Sequence, residues 1–156
     1  MLEQFPPEAQ EIIRTLGLEP LEHEGGYFRR MHLSEHSSAI YYLLAQPEVS
    51  ALHRLSETEV YHWYGGSPLE ILVLHPDGRA ETLVLGPDLS AGQRPQHVVP
   101  GGTVHGSRPL GAWSFVGTTM APPFHWDGFE LGDRDTLIAQ FPEERERIIA
   151  LTRPTA

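Results

Sequence analysis

Nine of the 156 residues are histidine, while cysteine and lysine are absent. The side chains able to hold a metal or move a proton are therefore imidazoles, carboxylates and hydroxyls. Disulfide frameworks, thiolate metal sites, CxxC redox chemistry and a Cys nucleophile are excluded. Without lysine, Schiff-base chemistry and attachment of pyridoxal phosphate are excluded as well. His23, His32, His36 and His75 lie beside turns or charged residues and read as surface or loop positions. His53, His62, His97, His105 and His125 sit in or near apolar segments, where a polar ring needs a partner or a task.

Two segments concentrate the chemistry. The first runs SALHRLSETEVYHWYGG from Ser50 to Gly66. Strand side chains alternate faces, so His53 and Leu55 share one face; past a turn at Ser56 to Thr58, Glu59, Tyr61 and Trp63 share another. A hairpin across that turn would bring His53 and Glu59 together. The second segment, PGGTVH from Pro100 to His105, joins a proline with fixed φ to glycines that permit a left-handed turn, and so aims His105 reproducibly into a neighbouring strand.

Two imidazoles and a carboxylate (His53, Glu59, His105) suit a divalent Fe, Mn, Ni or Zn ion with positions left open for substrate. The alternative is a metal-free polar pocket in which Glu59 hydrogen-bonds one histidine. Catalysis there would have Glu59 or His105 remove a proton and Tyr61 return it. Tyr61, Trp63 and Phe115 are candidates to stack on a ligand, although aromatic strand residues also serve as core. Gln96, on the opposite face from His97, joins them as a ligand-binding candidate. Arg29 is a candidate anchor for carboxylate or phosphate, with a plain surface role as its rival. His62, opposite Glu59 in a regular strand, reads as structural, and His125-Trp126-Asp127 is a candidate lid over a barrel mouth, with a plain loop as its rival.

These residues need a scaffold of short strands. Fifteen glycines and 14 prolines punctuate the chain throughout, a distribution typical of an all-β sandwich or barrel. Strands are expected at 26–32, 39–45, 50–54, 59–64, 69–74, 79–85, 96–99 and 113–119, with a hairpin at Asp77-Gly78. One helix is expected at the start, where Pro6-Pro7 precedes Ala9, Ile12, Ile13 and Leu16 at helical spacing and Gly17 ends the run. At the other end Asp133 can cap a helix carrying Leu137, Ile138 and Phe141. Pro142 then restarts a second helix that buries Ile148, Ile149 and Leu151.

The two chemical segments resemble the cupin superfamily. Its first motif is His-x-His, three or four residues, Glu, six residues and Gly, matched by His53, Glu59 and Gly66; its Pro-x-Gly-x-x-His is matched by Pro100, Gly102 and His105. Two positions depart: Leu55 stands where the motif has its second histidine, and Pro47 where it has an early glycine. The complete set of three His and one Glu is thereby reduced to two His and one Glu. The whole chain is similar to the DUF985 (Cupin_5) branch of small proteins without an agreed activity. The similarity lies in Glu24 to Arg29, Ser50 to Leu55, Pro68-Leu69-Glu70, Leu85-Gly86, Pro95-Gln96, the Val-Pro-Gly-Gly turn, Phe129-Glu130-Leu131 and Leu151-Thr152-Arg153. The resemblance implies a double-stranded β-helix with a short N-terminal helix and C-terminal helices, paired into a homodimer.

The expectation is thus one cupin domain over residues 1–156 that binds a small polar or sugar-like metabolite. It acts either as a metal-assisted or acid–base enzyme of isomerase or epimerase type, or as a non-catalytic binding or sensing module. A formal charge of −10 would repel nucleic acid and anionic membrane. The longest apolar run, Ala39 to Ala45, is far short of a membrane span, and the first residues lack the basic and apolar regions of a signal peptide. A cytoplasmic protein without a nucleotide cofactor is expected.

Overall fold

A computed structural model describes residues 2–153. Eleven strands run β1 (Glu19–Pro20), β2 (Tyr27–Leu33), β3 (Ser38–Ala45), β4 (Ser50–Leu55), β5 (Glu59–Gly66), β6 (Leu69–Leu74), β7 (Ala80–Leu85), β8 (Gln96–Val99), β9 (Val104–Pro109), β10 (Trp113–Met120) and β11 (Phe129–Leu131). They form two antiparallel sheets, ordered β1-β2-β3-β10-β5-β8 and β11-β4-β9-β6-β7. The first helix, α1 (Pro7–Leu16), starts on a proline and ends at Gly17, whose left-handed φ of 67° lets its N–H reach Ile13 O. Asp133 caps α2 (Arg134–Gln140) by accepting from Thr136 N, and α3 (Arg145–Ala150) follows a 3-10 turn begun by Pro142. No helix among the described residues is long and apolar enough to cross a membrane.

Alternation along the strands sorts side chains into three apolar layers. In β3, Tyr42 and Leu44 face the space between the sheets, while Leu43 and Ala45 face outward onto Phe5, Ala9, Ile13 and Leu18 around α1. In β6, Leu69, Ile71 and Val73 point inward; Leu72 and Leu74 point outward beneath Leu137, Phe141, Ile148 and Leu151 of the C-terminal segment. Each outer face is therefore covered in part, and the inter-sheet space is apolar at the end held by Leu69 and Ile71. Ile149, expected with Ile148 and Leu151, is 38% exposed, because a helix this short lays a single stripe on the sheet.

The expected strands are present, with Asp77-Gly78 turning β6 into β7 and Gly78 at a φ of 89°. Three more strands escape the pattern. In β9, VHGSRP combines glycine, arginine and proline, poor strand formers by composition. Its Gly106 is there because a Cβ would press on Ser50 O and the backbone of Leu52, so β9 can approach β4 only without a side chain. The two-residue β1 and three-residue β11 are too short to show a period. A further correction concerns β4 and β5, which form no hairpin: the turn at Ser56 to Thr58 carries the chain from one sheet to the other.

Candidate metal centre and ligand cavity

That crossing sets the geometry of the site. His53 on β4 and His105 on β9 are direct cross-strand partners, with ring centroids 4.3 Å apart. Glu59 opens β5 in the facing sheet, and its Oε1 lies 3.1 Å from His105 Nε2. The turns that carry these residues brace one another. Gly102, at a φ of 84°, donates to Leu55 O, and Gly101 N donates to Thr58 Oγ1. A Cβ on Gly101 would meet the backbone of Ser56 and Glu57, so the Pro-Gly-Gly turn fits against the first motif only as glycine.

All three side chains are buried, and one ligand atom from each lies within 4.8 Å of the others. His53 Nδ1 donates to Ala51 O at 2.7 Å, since a carbonyl can only accept; in the neutral ring this leaves the Nε2 lone pair free. Burial alone would raise the Glu59 pKa. The hydrogen bond and charge of His105, with the charge of His53, outweigh it and hold the carboxyl below its ordinary range. His105 is pushed down, first by burial and then by His53, with Glu59 partly opposing. The favoured state is an ionised Glu59 accepting from a neutral His105. Tyr61, edge-on to His105 at 5.8 Å, has its pKa raised well above 10 by burial and by Glu59 and Glu24, so its hydroxyl keeps its proton.

These donors fit a divalent cation. Ligation needs neutral imidazoles and an ionised carboxylate, the state the environment favours. The carbonyl on His53 Nδ1 is the outer-shell contact that orients a ligating imidazole. His105 lacks one, its Nδ1 being buried without a hydrogen-bond partner. For its Nε2 to hold an ion, the proton there would have to move to Nδ1, which keeps the ring neutral.

The cluster lies beside a cavity of about 670 Å³ lined by Glu24, Leu55, Glu59, Tyr61 and, on the aromatic side, Phe28, Phe124, Trp126 and Phe129. Arg29, Arg30 and Trp126, all exposed, also line it. Phe129 stacks on His53 at 5.4 Å with an interplanar angle of 24° and meets Trp126 and Phe124 edge-on. Of the ligand-binding candidates, Tyr61 and Arg29 line the cavity, Arg29 also donating to Leu16 O. Trp63, Gln96 and Phe115 do not. Trp63 shares the face of Tyr61 but lies further along β5, packed on the inter-sheet core with its indole N–H on Ser67 O. Phe115 faces outward against Tyr41 and Tyr64, one residue out of phase with the inward Val116, and Gln96 is exposed on the edge strand β8. His62 pairs with Thr119, His97 with Val84 O, and His75, expected at the surface, is buried against Glu81. Glu24, Phe124 and Phe129 were not singled out by spacing because they reach the cavity from distant segments; Glu24 stands beside the Gly25-Gly26 pair, a visible sign of a tight turn.

Two face-to-face antiparallel sheets with inward His and Glu donors define a cupin. A model of the cupin superfamily (DUF985) matches residues 10–132, and the chain belongs to that family. A crystal structure of a protein from Shewanella oneidensis is 37% identical with a TM-score of 0.89, covering 94% of this chain and 98% of its own. A hypothetical protein from Leishmania major is 25% identical, TM-score 0.82, over 94% and 99% of the two chains. Oxalate decarboxylase from Bacillus subtilis, a protein with Mn(II) centres, shares the fold at 15% identity and a TM-score of 0.58, over 89% of this chain and 41% of its own. No protein of curated function matches this sequence.

Proposed function

We propose that this cupin is an enzyme that binds a small polar, sugar-like or acidic metabolite against a divalent metal held by His53, Glu59 and His105. The observation that carries the reading is the placement of these three donors, buried and mutually within ligand distance, beside a cavity large enough for such a molecule. A bound divalent ion supplies Lewis-acid polarisation of a substrate oxygen. Arg29 and Arg30 in the cavity lining attract an anionic group, Phe129 and Trp126 offer apolar faces, and the Tyr61 hydroxyl donates a proton or hydrogen bond from the cavity wall.

A metal-free reading is favoured by one observation. His105 Nε2 already hydrogen-bonds Glu59 directly, so the pair can take a substrate proton that Tyr61 returns, the chemistry of an isomerase or epimerase. Metal analysis of tag-free protein separates the two readings. A thermal-shift screen of sugars, organic acids and nucleotides then locates the ligand class. A compound that stabilises the protein and is recovered unchanged identifies a binding or sensing module.

We also propose a homodimer built on β2. Among the described residues its partner β1 covers only Tyr27 and Phe28, leaving Arg29 to Leu33 as an unpaired edge that exposes Met31 and Leu33.

A further inference from the structure

Two ionic side chains of the cavity have no task in the centre itself. Glu24 lines the cavity from the turn before β2, and Arg30 lines it from β2. Glu24 is anchored on β4: Ala51 N donates to its backbone oxygen at 2.8 Å, and Ser50 Oγ donates to its Oε2 at 2.7 Å. Gly25, at a φ of 107°, follows it where a Cβ would strike Val49 O, so the turn is closed tightly onto that segment.

The other carboxylate oxygen of Glu24 has no donor. The Tyr42 hydroxyl, beside the same turn, gives its proton to Gly25 O. His53 Nε2 stands 3.5 Å from Oε1, but its ring already donates from Nδ1 to Ala51 O, so in the neutral state it offers Oε1 only a lone pair. The Glu24 side chain is 15% exposed, too little for bulk water to satisfy it fully. It calls for a hydrogen-bond donor from a bound molecule.

Arg30 is the converse case, a donor without an acceptor. Its register partner is Ile40, and the row continues through Thr118 to Tyr61 across β2, β3, β10 and β5; all four residues line the cavity. Its guanidinium makes no hydrogen bond or ion pair among the described residues, whereas Arg29 is engaged with Leu16 O. The turn that carries Glu24 packs on Tyr42, the register partner of Phe28, which is one inward position before Arg30. The free acceptor and the free cation therefore belong to the same side of the cavity.

We propose that the metabolite is a hydroxy acid, with its anionic group paired to Arg30 and a hydroxyl donating to Glu24; this rests on the reading of the cavity given above. A guanidinium binds a carboxylate through two parallel N–H···O bonds, and a carboxylate accepts without donating. A neutral polyol misses the first contact, and a plain carboxylic acid misses the second. An amino acid would offer Glu24 a donor, but its ammonium would be set against the divalent cation that His53 helps to hold.

Calorimetric titration of tag-free protein with two matched sets of compounds tests this. Gluconate is compared with glucose and hexanoate; malate is compared with aspartate and succinate, which differ from it only in the group at one carbon. A hydroxy acid should bind at least about tenfold more tightly than its matched compounds. Arg30→Gln should remove the preference for gluconate over glucose, and Glu24→Gln the preference for malate over succinate. Glucose binding as tightly as gluconate, succinate or aspartate as tightly as malate, or preferences unchanged in both variants overturns the proposal and leaves the cavity reading standing. Silence of all six compounds while another class binds does the same, and silence of sugars, organic acids and nucleotides alike removes the reading and the proposal together. If circular dichroism shows that a variant does not fold, the wild-type preferences decide.

Discussion

His53 and His105 face each other as register partners within one sheet, yet the carboxylate that bonds His105 comes from the opposite sheet. The centre is thus a bridge across the sandwich, and its integrity depends on how the two sheets are held apart.

His105→Ala should abolish metal binding while the fold survives, because the turn through Pro100 and Gly102 is built from backbone contacts to Leu55 and Thr58. Loss of the bond to Glu59 should cost about 1–3 kcal/mol. Elemental analysis and a circular dichroism melt of the purified variant check both parts. Metal content equal to wild type would place the ion elsewhere.

Leu55→His should raise metal occupancy. Leu55 is 5% exposed and lines the cavity beside Glu59, so an imidazole there has room to turn toward the ion. Parallel dialysis of both proteins against limiting Mn(II), followed by elemental analysis, reads the difference. An occupancy unchanged by the added ring would show that position 55 does not face the ion.

Acid should destabilise the metal-free protein in two stages. In the native state His105 lies below its ordinary 6.5, owing to burial and His53, and Glu59 below its ordinary 4.5, owing to His105 and His53 against the pull of burial. On unfolding both regain ordinary values, so at falling pH the unfolded chain takes up protons first. Stability is therefore full above about pH 6.5, declines below it through His105, and declines again below about pH 4.5 through Glu59. Melting temperatures measured from pH 8 to 4 should fall accordingly, with His105→Gln removing the earlier decline. A melting temperature that rises on acidification contradicts the assignment.

The pattern of residues along the chain reveals the strands that alternate or run apolar, the capped helices and the three donors, because motif spacing and Pro or Gly turns are local signals. The partnership of His53 with His105, rather than with Glu59 through a hairpin, is not local: it depends on which sheet each strand joins. Trp63 illustrates the limit. Its parity on β5 is right, but the cavity ends before it, and only packing decides where a cavity ends. Phe124 and Phe129 show the converse, since they reach the cavity from segments far along the chain, Phe129 stacking on His53.

Trp126→Ala should weaken ligand binding with little change in stability. The indole lines the cavity yet is 55% exposed, so its removal leaves the buried layers untouched. The expected melting-temperature change without ligand is no more than about 2 °C. A thermal-shift titration with any stabilising compound should show a several-fold weaker apparent affinity, and an unchanged affinity would separate the aromatic loop from ligand recognition.

Met31→Glu combined with Leu33→Glu should yield monomers. Charges on the unpaired edge of β2 oppose strand-to-strand pairing. Light scattering should give twice the 17.5 kDa chain mass for wild type and a single chain for the double variant. Wild type at the single-chain mass would remove the dimer.

Leu52, next to His53, donates its backbone N–H to Leu151 O and accepts from Gly132 N, while its side chain lies among Leu137, Ile148 and Leu151. The strand that carries His53 is thus finished by residues made about a hundred positions later. During synthesis, a ribosome-bound chain stalled before Leu151 holds every donor of the centre but lacks the contacts that fix β4. Completion of the pocket should accordingly wait until the Leu151 segment has docked on β4 rather than accompany emergence of the barrel strands.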